Sequence, residues 1–185
     1  MSVAGADIPL SDLPALDEVL HAHAGALGGD LAGYRNHAYR VASFCVALSA
    51  AAPGQVETIA IASAFHDLGI WTDGTFDYLP PSIRLARDYL ARTGRMEREG
   101  EVTAMIANHH KLSRVRGAAG SLVEPFRRAD WIDVTRGVRR FGLSRGLLRE
   151  VFAAWPDAGF HRRLLQLSLR RLRTHPLNPL PMFRL

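Results

Sequence analysis

Apolar residues in this 185-residue chain recur every three or four positions, and no window alternates apolar and polar residues through a run of Val, Ile and Thr. A 3.6-residue period without a two-residue period leaves helices as the building material. Leu, Ala and Arg dominate, and all are good helix formers. Breaks at Gly28-Gly29, Pro53-Gly54, Gly94 and Gly137 divide the pattern. The spacing predicts helices over about 12–27, 34–51, 55–66, 82–94, 96–110, 121–137, 144–154 and 157–174, with Ser82 and Ser121 as N-caps. Residues 69–81, rich in Gly, Pro and aromatics, read as a loop, and the three prolines of residues 175–185 predict an extended tail. The expected fold is therefore an all-α bundle of about seven to eight helices. It forms a single domain over residues 1–185, with a core at about 30–135 and a helical extension at 140–185.

The longest nearly apolar run, Val41 to Ala52, has twelve residues. A bilayer span needs about 18, so no transmembrane helix is expected. One cysteine, Cys45, excludes an intrachain disulfide, and residues 1–12 lack a basic segment followed by an apolar one. Both point to the cytoplasm. Charge is uneven. Residues 1–110 carry 7 Arg against 13 acidic residues, net −6, and residues 111–185 carry 16 basic against 5 acidic, net +11. All basic residues but Lys111 are Arg, whose planar fork suits phosphate. An anionic small-molecule substrate is expected. A nucleic-acid or partner-binding helical module is the reading from another class, and the apolar tail leaves a homo-oligomer open.

Several polar residues fall where the helical stripes should be apolar. His37 lies four residues before Val41, on the face that carries Phe44, Cys45 and Leu48. His66 follows Ile59 by seven, and Asp67 follows at once. A carboxylate at a helix C-terminus opposes the dipole, which invites a compensating cation. His109 and His110 fall seven and eight residues after Val102, and Asp130 and Asp133 fall four and seven after Phe126. A buried carboxylate needs a partner. Convergence of these side chains on one site is the economical explanation, with a mixed nitrogen and oxygen donor set suited to Mn, Co, Ni, Zn or Fe.

The segments YRNHAYRV, AIASAFHDLG and FRRADWIDV, in the order His37, His66-Asp67, Asp130, resemble the HD-domain superfamily of metal-dependent phosphohydrolases. The resemblance implies an HD-domain helical bundle in which His37, His66, Asp67 and Asp130 hold one divalent metal ion, with Asp133 the competing choice for the last ligand. It implies hydrolysis of a phosphate ester or nucleotide, with His66 and Asp67 as catalytic residues and water as the attacking group. His109 and His110 resemble the additional histidines of some members. No His occurs from 68 to 108, so a single metal is expected. Relatives place Lys or His, or an acid, close behind the HD pair, whereas Ile70 and Trp71 follow Gly69 here. Arg35, Arg40, Lys111, Arg127 and Arg128 are the candidates to neutralise substrate. Trp71, Phe76 and Tyr78 either line a pocket mouth or pack the core. Other members are iron oxygenases or zinc hydratase-like enzymes, which the altered loop keeps as alternatives.

Overall fold

Pro53 opens the helix around which the bundle is built. The structure is a computed structural model, and it describes residues 8–117 and 120–174; the extended tail expected over 175–185 lies outside them. Helix α4 (Pro53–Phe65) starts with proline where no N–H partner is needed, and the Gln55 side chain accepts the Ala52 N–H at 3.0 Å. Its residues Thr58 to Phe65 are all buried, as a helix apolar on every side requires. α1 (Pro14–Ala22) covers one flank of α4 with Leu16, Val19 and Leu20. α3 (Leu31–Ser49) covers another and is buried from His37 through Val46. Each large apolar side chain so buried contributes about 1.5–3 kcal/mol.

After α4 the chain forms a four-residue turn of helix, α5 (Gly69–Thr72), then α6 (Leu79–Arg92) and α7 (Glu99–Asn108), packed on one another and on α4. α8 (Val123–Val134) returns across α3, which is its main partner. α9 (Arg145–Ala154) and α10 (Phe160–Thr174) follow. With the short α2 (Ala24–Leu27), this gives eight helices of nine residues or more and two single turns, and no strand among the described residues. The architecture is the all-α bundle that the periodicity predicts.

Differences sit at the helix ends. The first predicted helix breaks at His23, whose Nδ1 donates to the Val19 carbonyl at 2.8 Å beside the backbone N–H that reaches the same oxygen. α6 begins at Leu79, three residues before Ser82, because Pro80 and Pro81 fit its first turn. Ser82 is no cap; its Oγ accepts the Gly69 N–H at 3.0 Å. α8 begins at Val123, whose N–H the Ser121 hydroxyl accepts at 3.4 Å. Residues 69–81 are not all loop, since α5 occupies the first four.

Gly69 is required by the return of that loop. A Cβ there would stand 2.6 Å from the Tyr78 carbonyl oxygen and 3.0 Å from Pro81 and Ser82. The chain passes so close that α4, α5 and the start of α6 form one rigid corner. Gly69→Ala overpacks this corner and should cost about 1–3 kcal/mol, read as a lower unfolding temperature in calorimetry; an unchanged temperature would refute the close approach.

Candidate metal centre

His66 and Asp67 stand at the C-terminal end of the most buried helix, so their side chains emerge inside the bundle. Tyr34, one turn before His37 on α3, fixes this end. Its hydroxyl donates to the Ala64 carbonyl at 3.0 Å and accepts the Asp67 N–H at 3.3 Å. His37 reaches the same point from α3, His109 from the end of α7 and Asp130 from α8. His37, His66 and His109 are fully buried, and Asp67 and Asp130 are 3% and 1% exposed.

The ring nitrogens are oriented by their neighbours. His66 Nδ1 donates to the Ser63 carbonyl at 2.8 Å, and His109 Nδ1 to the Ile106 carbonyl at 2.7 Å. His37 Nδ1 donates to Asp133 Oδ2 at 2.6 Å. With both Nδ1 positions committed, neutral His37 and His66 present Nε2 lone pairs to each other, 2.8 Å apart. Burial pushes the His66 pKa down to about 3 and that of His37 downward as well. Around this pair stand two more acceptors. Asp67 Oδ2 is 3.7 and 3.6 Å from the two nitrogens, and Asp130 Oδ1 is 3.8 Å from each. Asp130 Oδ1 is buried without a hydrogen-bond partner. His37, His66 and Asp130 offer atoms within 4.8 Å of one another, as ligands of one ion require, and Asp67 joins His66 in a neighbouring set.

The carboxylates turn their other oxygens the opposite way. Asp67 Oδ1 lies 3.2 Å from His109 Nε2 and 3.9 Å from His110 Nε2, and Asp130 Oδ2 lies 3.7 Å from His110 Nδ1. Three overlapping sets of donors result: His37, His66 and Asp130; His66, Asp67 and His109; His109, His110 and Asp130. His110 is oriented differently from the rest, with Tyr78 Oη donating to its Nε2. Its side chain, 12% exposed, is the cluster's most accessible.

Asp133 lies outside the three donor sets: its carboxylate stands behind His37 and faces Arg40. Arg40 Nε and Nη2 both donate to it, the latter at 3.0 Å, and Arg40 Nη1 reaches the Trp155 and Pro156 carbonyls. Burial alone would raise the Asp133 pKa, but the His37 and Arg40 hydrogen bonds hold it well below the carboxylate range. Phe160, first residue of α10, stacks on the His37 ring at 4.0 Å and 15°. Gly33 permits this, because a Cβ there would stand 3.1 Å from the Ala158 carbonyl. The helical extension therefore forms one wall of the centre.

Of the basic residues expected at a pocket mouth, Arg35, Arg40, Arg127 and Arg128 are engaged elsewhere. Arg35 forms a bidentate pair with Asp17 at 2.7 and 3.0 Å. Arg40 is fully buried behind His37. Arg127 and Arg128 both engage Glu124, and Arg127 also donates to the Lys111 carbonyl. Lys111 is half-buried beside His110. Trp71 packs: its indole N–H donates to Asp30 at 2.9 Å and its ring lies 4.8 Å from Tyr34. Tyr78, one of the three aromatics read as either pocket mouth or core, reaches His110. Tyr34, Phe160 and His161 join the site without having been singled out in the sequence, and of these only Tyr34 carried a signal, three residues before His37 on the same helical face. Comparison with protein-family models, curated proteins and solved structures finds no match for this chain.

Two outcomes follow from this geometry. Burial, with the charges of Asp67 and Asp133, raises the Asp130 pKa well above 3.8 against the pull of His109. Burial alone would lower that of His109, but the Asp67 hydrogen bond together with the charges of Asp67 and Asp130 raises it. A group with a raised pKa carries its proton at higher pH, and a cation must displace it. Manganese or zinc binding should therefore release protons and strengthen as pH rises, measured by calorimetry in buffers of different ionisation enthalpy. Buffer-independent heats would contradict this. Second, Asp133→Asn leaves Arg40 buried without its counter-charge, at a cost of about 3–5 kcal/mol in unfolding free energy. It should also weaken metal affinity about 10–100-fold by releasing His37, checked by equilibrium dialysis of the folded variant.

Proposed function

We propose that the protein is a metal-dependent hydrolase that cleaves a phosphate ester, nucleotides included, in the manner of the HD superfamily that its three segments resemble. The observation that carries this reading is the convergence of His37, His66 and Asp130, from α3, the α4 end and α8, with Asp67 Oδ2 within 3.7 Å of both histidine nitrogens and Asp130 Oδ1 buried without a hydrogen-bond partner. His37, His66, Asp67 and Asp130 would hold one divalent ion, such as Mn, Co, Ni, Zn or Fe. Such an ion, when bound, lowers the pKa of water and polarises a phosphoryl oxygen.

The chain's own residues supply the rest. Asp67 Oδ1, turned away from the His37–His66 pair, orients the attacking water and takes its proton. His66, anchored through Ser63, keeps its Nε2 aimed at the centre. Phe160, Tyr34 and Phe126 surround His37 and His66 and exclude bulk water from that side. Substrate approaches beside His110, the least buried donor, where Tyr78 offers a hydroxyl and Lys111 follows in the chain. As water attacks phosphorus, the P–O ester bond breaks and the departing alcohol takes up a proton.

The commitment of Arg35, Arg40 and Arg127 to other partners favours one second reading, a hydratase-like enzyme at zinc acting on an uncharged substrate. One experiment separates them: metal content of protein purified without chelator, then turnover on phosphate esters with Mn, Co or Ni. The proposal expects about one ion per chain and phosphatase activity that His66→Ala and Asp67→Ala abolish. Equal turnover by wild type and variants would overturn it. Tightly held zinc with no phosphatase activity would favour the hydratase-like reading, and two irons per chain an oxygenase.

A further inference from the structure

Four arginines of the cationic half of the chain line a groove that no residue of the donor cluster lines. Between the turn after α8 and helix α9 lies a cavity of about 640 Å³, walled by Arg136, Arg140, Arg145 and Arg149 over a floor of Leu148 and Phe152. All four arginines are exposed, and no carboxylate lines the cavity. Among the described residues, Arg140, Arg145 and Arg149 have no ion pair, and Arg136 reaches only Asp157 at 4.0 Å. Several arginines elsewhere are matched, Arg35 with Asp17, Arg84 with Asp73, Arg87 with Glu99 and Arg98 with Glu57. An unopposed cluster repels itself and is relieved by an anion.

The wall is also fixed in shape. Arg136 and Phe141 hold left-handed backbone, φ 50° and 47°, which residues with a Cβ adopt only where their surroundings impose it. Arg136 N–H bonds to the Asp133 carbonyl and Gly137 N–H to that of Ile132, both at 2.8 Å. A Cβ at Gly137 would meet Leu148 at 2.7 Å, so the turn is seated directly on α9. The forks of Arg140, Arg145 and Arg149 therefore surround a preformed concavity.

We propose that this groove binds the phosphodiester backbone of a nucleic-acid strand. Arginine forks match phosphate oxygens in pairs, and four of them line this one concavity. A lipid surface fits less well: the groove is concave, Leu148 and Phe152 lie in its floor, and Val138, 85% exposed, is the one large apolar side chain at its rim that projects.

The test uses the full-length chain and short fluorescein-labelled single-stranded DNA and RNA of mixed sequence, read by anisotropy across a salt series. Four neutralised phosphates at about 0.7 each predict a slope of about 3 for log Kd against log salt. Arg140→Gln/Arg145→Gln/Arg149→Gln should weaken binding at least tenfold at low salt and lower the slope by about 2. The side chains are exposed, so circular dichroism and unfolding temperature should stay at wild-type values. Should the triple variant be unstable, Arg149→Gln alone lowers the slope by about 0.7. Equal loss in the control Arg114→Gln/Arg116→Gln would show diffuse attraction and overturn the assignment to this groove. So would unchanged binding by the triple variant, or capture by phosphatidylglycerol vesicles without capture of either strand. A preference between DNA and RNA names the source of the same phosphate chemistry.

Discussion

Two imidazole lone pairs and two carboxylates face one another in the centre of this bundle, and much of the surrounding structure serves to keep them there. Left alone, such acceptors repel, and each buried carboxylate without a partner costs several kcal/mol. The chain therefore holds the donors from behind. The Ser63 and Ile106 carbonyls fix two rings, and Asp133 with Arg40 fixes a third. The Tyr34 hydroxyl ties the α4 end through Ala64 and Asp67. Supports of this kind set ring tautomer and orientation, and they distinguish a prepared donor set from polar residues that happen to be buried.

Helix α3 has the largest share in this. At roughly one-turn intervals it presents Gly33, His37 and Arg40, and each meets a different part of the fold: the turn before α10, the donor cluster, and the Asp133 carboxylate. Asn36 and Arg40 both donate to the Pro156 carbonyl. The last third of the chain is thereby bound to the helix that supplies the first donor. Residues beyond 140 complete the centre, since Phe160 covers His37 and His161 Nε2 donates to the Asp133 carbonyl at 2.9 Å.

What could be read from the sequence follows from the range of each interaction. Helix existence came from local periodicity. His37, His66 and Asp130 announced themselves as polar residues on apolar stripes, and the structure brings them together. The errors came from interactions between distant segments. Ser82 looked like a cap, but it is spent on Gly69, thirteen residues earlier. Arg40 flanks His37 in the chain and was read as a substrate contact; α8 supplies the carboxylate that draws it inward. Phe160 and His161 stand in an ordinary amphipathic helix, and only docking of the 155–160 segment on α3 makes them part of the site. Asp133 competed with the preferred Asp130 because residues three apart on a helix share a face. Their separate roles depend on which of them meets the His37 Nδ1.

Asp133 also joins the two regions of chemical interest. Its side chain receives His37, while its backbone carbonyl receives both His161 Nε2 and the Arg136 N–H that starts the arginine-bearing turn. A carbonyl has two lone pairs, and both are used. The inner face of α8 thus sets the position of a histidine in the donor cluster, and the end of the same helix sets the left-handed turn of the cationic groove. Because packed helices move as rigid units rather than bending continuously, a shift of α8 along its axis displaces both at once. The separation of acidic donors within and arginines without is built on that single helix, whose outward residues Arg128 and Trp131 lie against Phe141 and Arg139 of the following turn.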